Sequence, residues 1–193
     1  EIKGDNDHTK LIAMLNALND YSVPMSDILG KYFDTENLAY WMAFQLLTGN
    51  IDTQSRNMYL YSPTNSNTFY VLDWDNDGML MRKEYEIKQR SDGKSWENGI
   101  SNYWGNMLFS RCLQTKSFRT ALDKAIKDEY KYMNANRINS MVKHYRSITE
   151  QYVWKMPDSM YECVTKSQYD VIANQLHSEI EQNYQTYQTG FNK

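Results

Sequence analysis

Between Asp52 and Asp77 the chain gathers side chains that could do chemistry. Asn57 follows Asp52 at the fifth position, two β-like runs come next, and then Asp73-Trp74-Asp75-Asn76-Asp77. An Asp, an Asn five residues on and a further Asp beyond a hairpin form a layout suited to phosphoryl transfer. The first Asp takes the proton of an attacking hydroxyl, while the Asn and the later Asp hold metal ions on the phosphates. Mg²⁺ requires hard oxygen ligands, which carboxylates and carboxamides supply. The same residue types also fill plain turns, and a helix ending at Gly49-Asn50 before a polar run can be an ordinary loop. A second template overlaps the first. Asp73, Asp75, Asp77, Gly78 and Glu84 match the EF-hand calcium string. An EF-hand loop follows a helix, whereas Thr68-Phe69-Tyr70-Val71-Leu72 reads as a strand. A Ca²⁺ ion held by Asp73–Glu84 without the flanking helices stays open as an alternative.

These groups need elements to position them. Asp34 or Thr35 can cap a helix in which Glu36 sits near the positive end. From Leu38 to Leu47 that helix is apolar nearly all round, so it must be buried on most faces, Trp41 included. Gly49 ends it, which leaves Asp52 just past a rigid element. Asn57–Tyr61 and Thr68–Asp73 read as strands joined by the turn-rich Pro63-Thr64-Asn65-Ser66-Asn67. Upstream, Asp5, Asn6 or Asp7 caps a helix through Leu11, Met14, Leu15 and Leu18, and Ser26 caps a short one through Ile28, Leu29, Tyr32 and Phe33. Glu86–Gly99 reads as a polar loop. Helical stripes follow at Tyr103–Leu113, Phe118–Tyr130, Ile138–Tyr152 and Tyr169–Tyr184, each expected to be core packing. The expectation is one domain over 1–193, α+β but predominantly helical, with a short β-hairpin carrying the metal-site aspartates.

Composition excludes several classes. The net charge is −3, with acids and bases interspersed, so no electrostatic case exists for nucleic acid or a membrane surface. No apolar run approaches a membrane span. Cys112 and Cys163 allow at most one disulfide and do not have zinc spacing. His8, His144 and His177 are scattered. Sixteen Tyr and eleven Met suit either a binding surface or a helical core with irregular gaps, and the core reading is preferred.

The runs Phe33-Asp34-Thr35-Glu36-Asn37-Leu38-Ala39-Tyr40-Trp41, Thr48-Gly49-Asn50-Ile51-Asp52, Arg56-Asn57-Met58-Tyr59-Leu60-Tyr61 and Phe69-Tyr70-Val71-Leu72-Asp73-Trp74-Asp75-Asn76-Asp77 together resemble the CotH family of spore-coat, kinase-like proteins. The pattern is a helix after an Asp, then Asn-x-Asp, Asn-x-Tyr-Leu-Tyr and Trp-Asp-x-Asp. It is strongest over residues 33–78, continues to about 153, and is loose over the last forty residues. The resemblance implies an atypical protein-kinase C-lobe-like helical domain. Asp52 would be the catalytic base, and Asn57, Asp75 and Asp77 would be the metal residues. Mg²⁺ or Mn²⁺ with ATP would be the cofactors. The substrate would be a protein hydroxyl on a coat, envelope or secreted protein, and the location extracytoplasmic: cell envelope, spore surface or secreted. Asp73 stands where family members often carry Pro, so no role passes to it.

One feature of a complete kinase is missing. No Gly-rich phosphate loop and no strand-borne Lys paired to a helix Glu precede Asp52. The nucleotide-clasping N-terminal lobe is expected upstream in the parent, and this stretch alone is expected to be weakly active or inactive. Two alternatives remain: a non-catalytic envelope or surface scaffold, and the Ca²⁺ module.

Overall fold

The computed structural model describes residues 7–50, 52–53, 56–87, 103, 105–162 and 164–191. Helix dominates. In order come α1 (Thr9–Asn19), α2 (Met25–Tyr32), α3 (Thr35–Thr48), β1 (Met58–Tyr61), β2 (Tyr70–Asp73), α4 (Arg82–Ile87), α5 (Met107–Gln114), α6 (Lys116–Tyr132), α7 (Ala135–Val153) and α8 (Lys166–Phe191).

α3 is the axis. The Asp34 carboxylate accepts the Asn37 amide at 2.8 Å and so caps the helix start. Gly49 ends the helix in the left-handed region, at φ 62°. Between them nine residues are buried, which is why an apolar surface runs all round. Trp41 is 4 % exposed and stacks on Phe109 of α5 with ring centroids 5.5 Å apart. α6 and α8 pack along α3.

β1 and β2 form an antiparallel hairpin whose register runs from Met58↔Asp73 to Tyr61↔Tyr70. Its open end therefore holds Asn57 on one strand and Trp74 on the other. The hairpin is sewn to α3 by Asn37, whose side chain donates to the Val71 carbonyl at 3.2 Å and accepts the Val71 amide at 2.7 Å. A parallel bridge between Phe33 and Phe69 adds to this.

Several sequence expectations need correction. Ser26 does not cap α2: Pro24 occupies that position with extended backbone, and the Ser26 hydroxyl bonds Asp27 instead. The helix expected from Tyr103 starts at Met107, where the Asn106 side chain accepts the Leu108 amide at 3.0 Å. The loop expected from Glu86 is preceded by helix, α4, which runs to Ile87. Residues 88–99 of that loop lie outside the described residues, as do Asp5, Asn6 and Cys163. The pairing of Cys163 is therefore not described, while Cys112 is buried as a free thiol.

The stripe on α7 is not core. No residue of α7 is fully buried, and Met141, Tyr145, Ile148 and Tyr152 are exposed. α7 packs along α8 and borders an open apolar cavity of about 480 Å³, whose walls include Phe44, Leu80, Ile138, Val142 and Ile172. Among the described residues, no helix is long and apolar enough to cross a membrane.

Candidate functional site

Asp52 is set by the turn that leaves α3. The left-handed Gly49 lets the chain reverse, and the Asn50 amide donates back to the Gln45 carbonyl at 3.0 Å. The side chain of Asn50, 2 % exposed, then accepts the Asp52 amide at 3.1 Å, an Asx-type turn that fixes the start of the loop. The Asp52 carboxylate is half-buried and meets the Arg56 guanidinium at 3.2 Å. Arg56 is mostly exposed, so this pair is weak and easily exchanged. Thr53 is buried with its hydroxyl 3.3 Å from that of Tyr103.

Asn57 precedes β1 in the left-handed region, at φ 56°. Asn tolerates that conformation better than most residues. Asp75 is left-handed too, at φ 53°, and opens the 3₁₀ turn Asn76–Gly78. Leu80 follows at φ 54°, an uncommon conformation for a Leu. Two left-handed residues thus bracket the turn, and strain of roughly 1–3 kcal/mol per residue persists only where surrounding contacts over-determine it.

Those contacts come from the end of α3. Gln45, fully buried, donates from Nε2 to Asp73 Oδ1 at 2.9 Å and to Asn76 Oδ1 at 3.2 Å. Asn50 Nδ2 donates to the same Asn76 oxygen at 3.2 Å. The Leu80 amide donates to the Thr48 carbonyl at 2.8 Å. Gly78 is buried against the loop: a Cβ there would lie 2.9 Å from Asn50 Oδ1 and 3.5 Å from both Cβ and Cγ of Asp52. The backbone of the Asp75–Gly78 turn therefore rests on the candidate base.

Beyond the turn, the Glu179 carboxylate of α8 accepts the Arg82 and Lys83 amides at 3.2 and 2.9 Å, capping α4. Asn183 ties the same stretch to α3, accepting from Arg82 at 2.8 Å and donating to the Leu47 carbonyl at 2.9 Å.

Two carboxyls near the turn are perturbed by burial. Asp73 is exposed as a residue, but its Oδ1 is held by buried Gln45. Partial burial raises its carboxyl above the ordinary range, against hydrogen bonds from Gln45 and Asn76 that lower it. Glu129 of α6 is raised as well, by partial burial and then by the charges of Asp73 and Asp128. Asp75 and Asp77 are exposed on the turn.

The sequence-derived residues are thus distributed as follows. Asp52 lies against the turn that carries Asp75 and Asp77, and Asn57 stands at the open end of the same hairpin. No hydrogen bond joins the four side chains to one another among the described residues, and no three His, Cys, Asp or Glu there form a group that could hold a metal ion. Ile51, Gln54 and Ser55 of the intervening loop lie outside the described residues. The strand β2 leads into Asp73, and Glu84 lies within α4, so the helix that enters an EF-hand has no counterpart. Sequence reasoning missed Gln45, Asn50, Asn76 and Glu129. Gln45 carried a usable signal, being a carboxamide inside an otherwise apolar helix. Glu129 carried none, since only the fold brings α6 to β2.

No curated protein and no solved structure matches the chain. The loop, hairpin and turn described above fall within a match to the family model described as CotH kinase protein, which spans residues 1–187; the chain belongs to that family.

Proposed function

We propose that this chain carries the base-bearing and metal-binding part of an atypical protein kinase that transfers the γ-phosphate of ATP to a protein hydroxyl. The observation that carries the reading is the seating of Gly78 on Asp52, which puts the Asp75–Asp77 turn beside the candidate base. Asp52 accepts the proton of the attacking hydroxyl, and Asn50 holds its backbone for that purpose. Asn57, Asp75 and Asp77 are the residues that hold Mg²⁺ or Mn²⁺. They fit those ions: all three offer hard oxygen donors, and the turn lacks the Cβ that would crowd it at Gly78. When bound, the metal neutralises charge on the phosphates.

The reading assigns the clasping of the nucleotide to another part of the parent protein, because no Gly-rich loop precedes Asp52. It places the protein outside the cytoplasm, at the cell envelope, on the spore surface or secreted, with a coat, envelope or secreted protein as substrate. Calorimetric titration with Mn²⁺ and ATP, with the nucleotide-clasping part supplied, tests it. Asp75→Ala should lower metal-dependent nucleotide binding at least tenfold, since a direct ligand is lost. Equal binding by Asp75→Ala and the unmodified chain returns the scaffold reading. Tight Ca²⁺ binding indifferent to nucleotide returns the calcium module.

A further inference from the structure

We infer that Asn50 and Gln45 are positioning residues that set the separation between the base and the cation turn. This rests on the reading of Asp75 and Asp77 as cation ligands given above. Asn50 has one end on each half of the site. Its Oδ1 accepts the Asp52 amide at 3.1 Å and its Nδ2 donates to Asn76 Oδ1 at 3.2 Å. Asn76 sits between Asp75 and Asp77, so a shift of Asn50 moves base and turn against each other. A side chain at Gly78 would press on the same Asn50 oxygen at 2.9 Å, so the fit leaves no slack.

Gln45 fixes the other side of the turn. The Asp73 carboxylate can only accept, so it orients the carboxamide with Nε2 toward Asp73 and Asn76. That orientation leaves Gln45 Oε1 buried without a hydrogen-bond partner among the described residues. Such an orphan costs stability, which a residue selected for packing alone would avoid by being apolar. Gln45 is kept in a helix that is apolar on every other buried face except Thr48. Gln45 holds Asp73 and Asn76, which flank the proposed ligand Asp75, and losing support behind a metal ligand commonly weakens metal binding about 10–100-fold.

The test uses Gln45→Met, which keeps volume and removes the donor, and Asn50→Ala. Both are compared by Mn²⁺ titration with ATP present, by thermal melting, and by amide hydrogen exchange over residues 74–80. The expected result is a roughly tenfold or greater loss of Mn²⁺ affinity in each folded variant. The Leu80 amide should exchange about tenfold faster while α3 stays protected. In an Asp75→Asn background, Gln45→Met should cause a smaller further loss of Mn²⁺ affinity than in the unmodified chain, because one of the two ligands on the turn is already gone. A purely structural role would instead move the melting temperature and leave the affinity of the folded protein alone. Unchanged exchange over 74–80 in both variants overturns the inference, as does unchanged affinity. If the unmodified chain binds no Mn²⁺, the proposed function fails, and hydrogen exchange alone decides whether these residues position the turn.

Discussion

The two ends of α3 use the same device to opposite effect. At the N-terminal end Asn37 both donates to and accepts from Val71, so its carboxamide is satisfied on both sides. At the C-terminal end Gln45 grips β2 two residues on, at Asp73, but only by donating, and its oxygen is buried and unpartnered among the described residues. Around Asn37 the backbone is ordinary. Around Gln45 stand the left-handed Asp75 and Leu80 and two carboxyls raised above their usual range. A satisfied clamp is architecture. A frustrated clamp, beside exposed carboxylates, is where a fold that exchanged stability for the proposed chemistry would carry its cost.

The largest effect that could break this contrast is catalytic. With the nucleotide-clasping part supplied, Asp52→Asn should cut turnover by about 10²–10⁴, the usual contribution of a positioned base. Its melting temperature should scarcely move, because the ion pair lost among the described residues is the exposed one to Arg56. A large loss of stability with turnover intact would make the C-terminal end architecture as well.

Next comes Trp41, midway along the helix. Trp41→Ala removes the ring stacked on Phe109 and should cost about 3–5 kcal/mol, read from denaturant unfolding. The indole nitrogen of Trp41 is itself buried without a partner among the described residues, so the cost should fall toward the lower end of that range. At the N-terminal end, Asn37→Leu strips Val71 of both partners and should cost about 2–3 kcal/mol. Mn²⁺ affinity of the folded variant should hold. Gln45→Met, the matching change at the other end, should cost less than about 1 kcal/mol, since it also removes an orphaned oxygen. Equal stability losses in Asn37→Leu and Gln45→Met would erase the comparison.

How much of this was legible depends on range. The Asp34 cap, the Gly49 stop and the buried stripe of α3 are local signals, and they fall where the sequence puts them. The hairpin was legible for the same reason, with strands slightly shorter than expected. α4 was not, because its cap is the Glu179 carboxylate, 96 residues away from Lys83. The stripe on α7 misled, since periodicity reports an apolar face and not what covers it. The last forty residues resembled the family only loosely, yet Glu179 and Asn183 of α8 hold α4 and α3 together. At the site, spacing together with the family resemblance selected Asp52, Asn57, Asp75 and Asp77. It could not select the carboxamides behind them, whose roles exist only once the turn is folded onto α3.

Glu179 supplies the smallest test of the contrast. Like Gln45 it serves the C-terminal side of the site, fastening the chain that leaves the turn, and like Gln45 it does so at a cost. It is 3 % exposed, and burial raises its carboxyl above the ordinary range despite the two amides it accepts and the nearby Arg82. A raised carboxyl in the folded state means that the native protein binds the proton more tightly than the unfolded chain. Its contribution to stability is therefore fully present below the ordinary Glu range and is lost as pH rises through the raised folded value. Glu179→Gln keeps an acceptor for α4 without the titration. The stability of the unmodified chain relative to Glu179→Gln should accordingly improve as pH falls from neutral toward the ordinary carboxylate range. Paired urea unfolding of both proteins at several pH values reads this directly. A relative stability that worsens on acidification would mean that the charged form is the favoured one. Glu179 would then be a satisfied cap, grouped with Asn37 and not with Gln45.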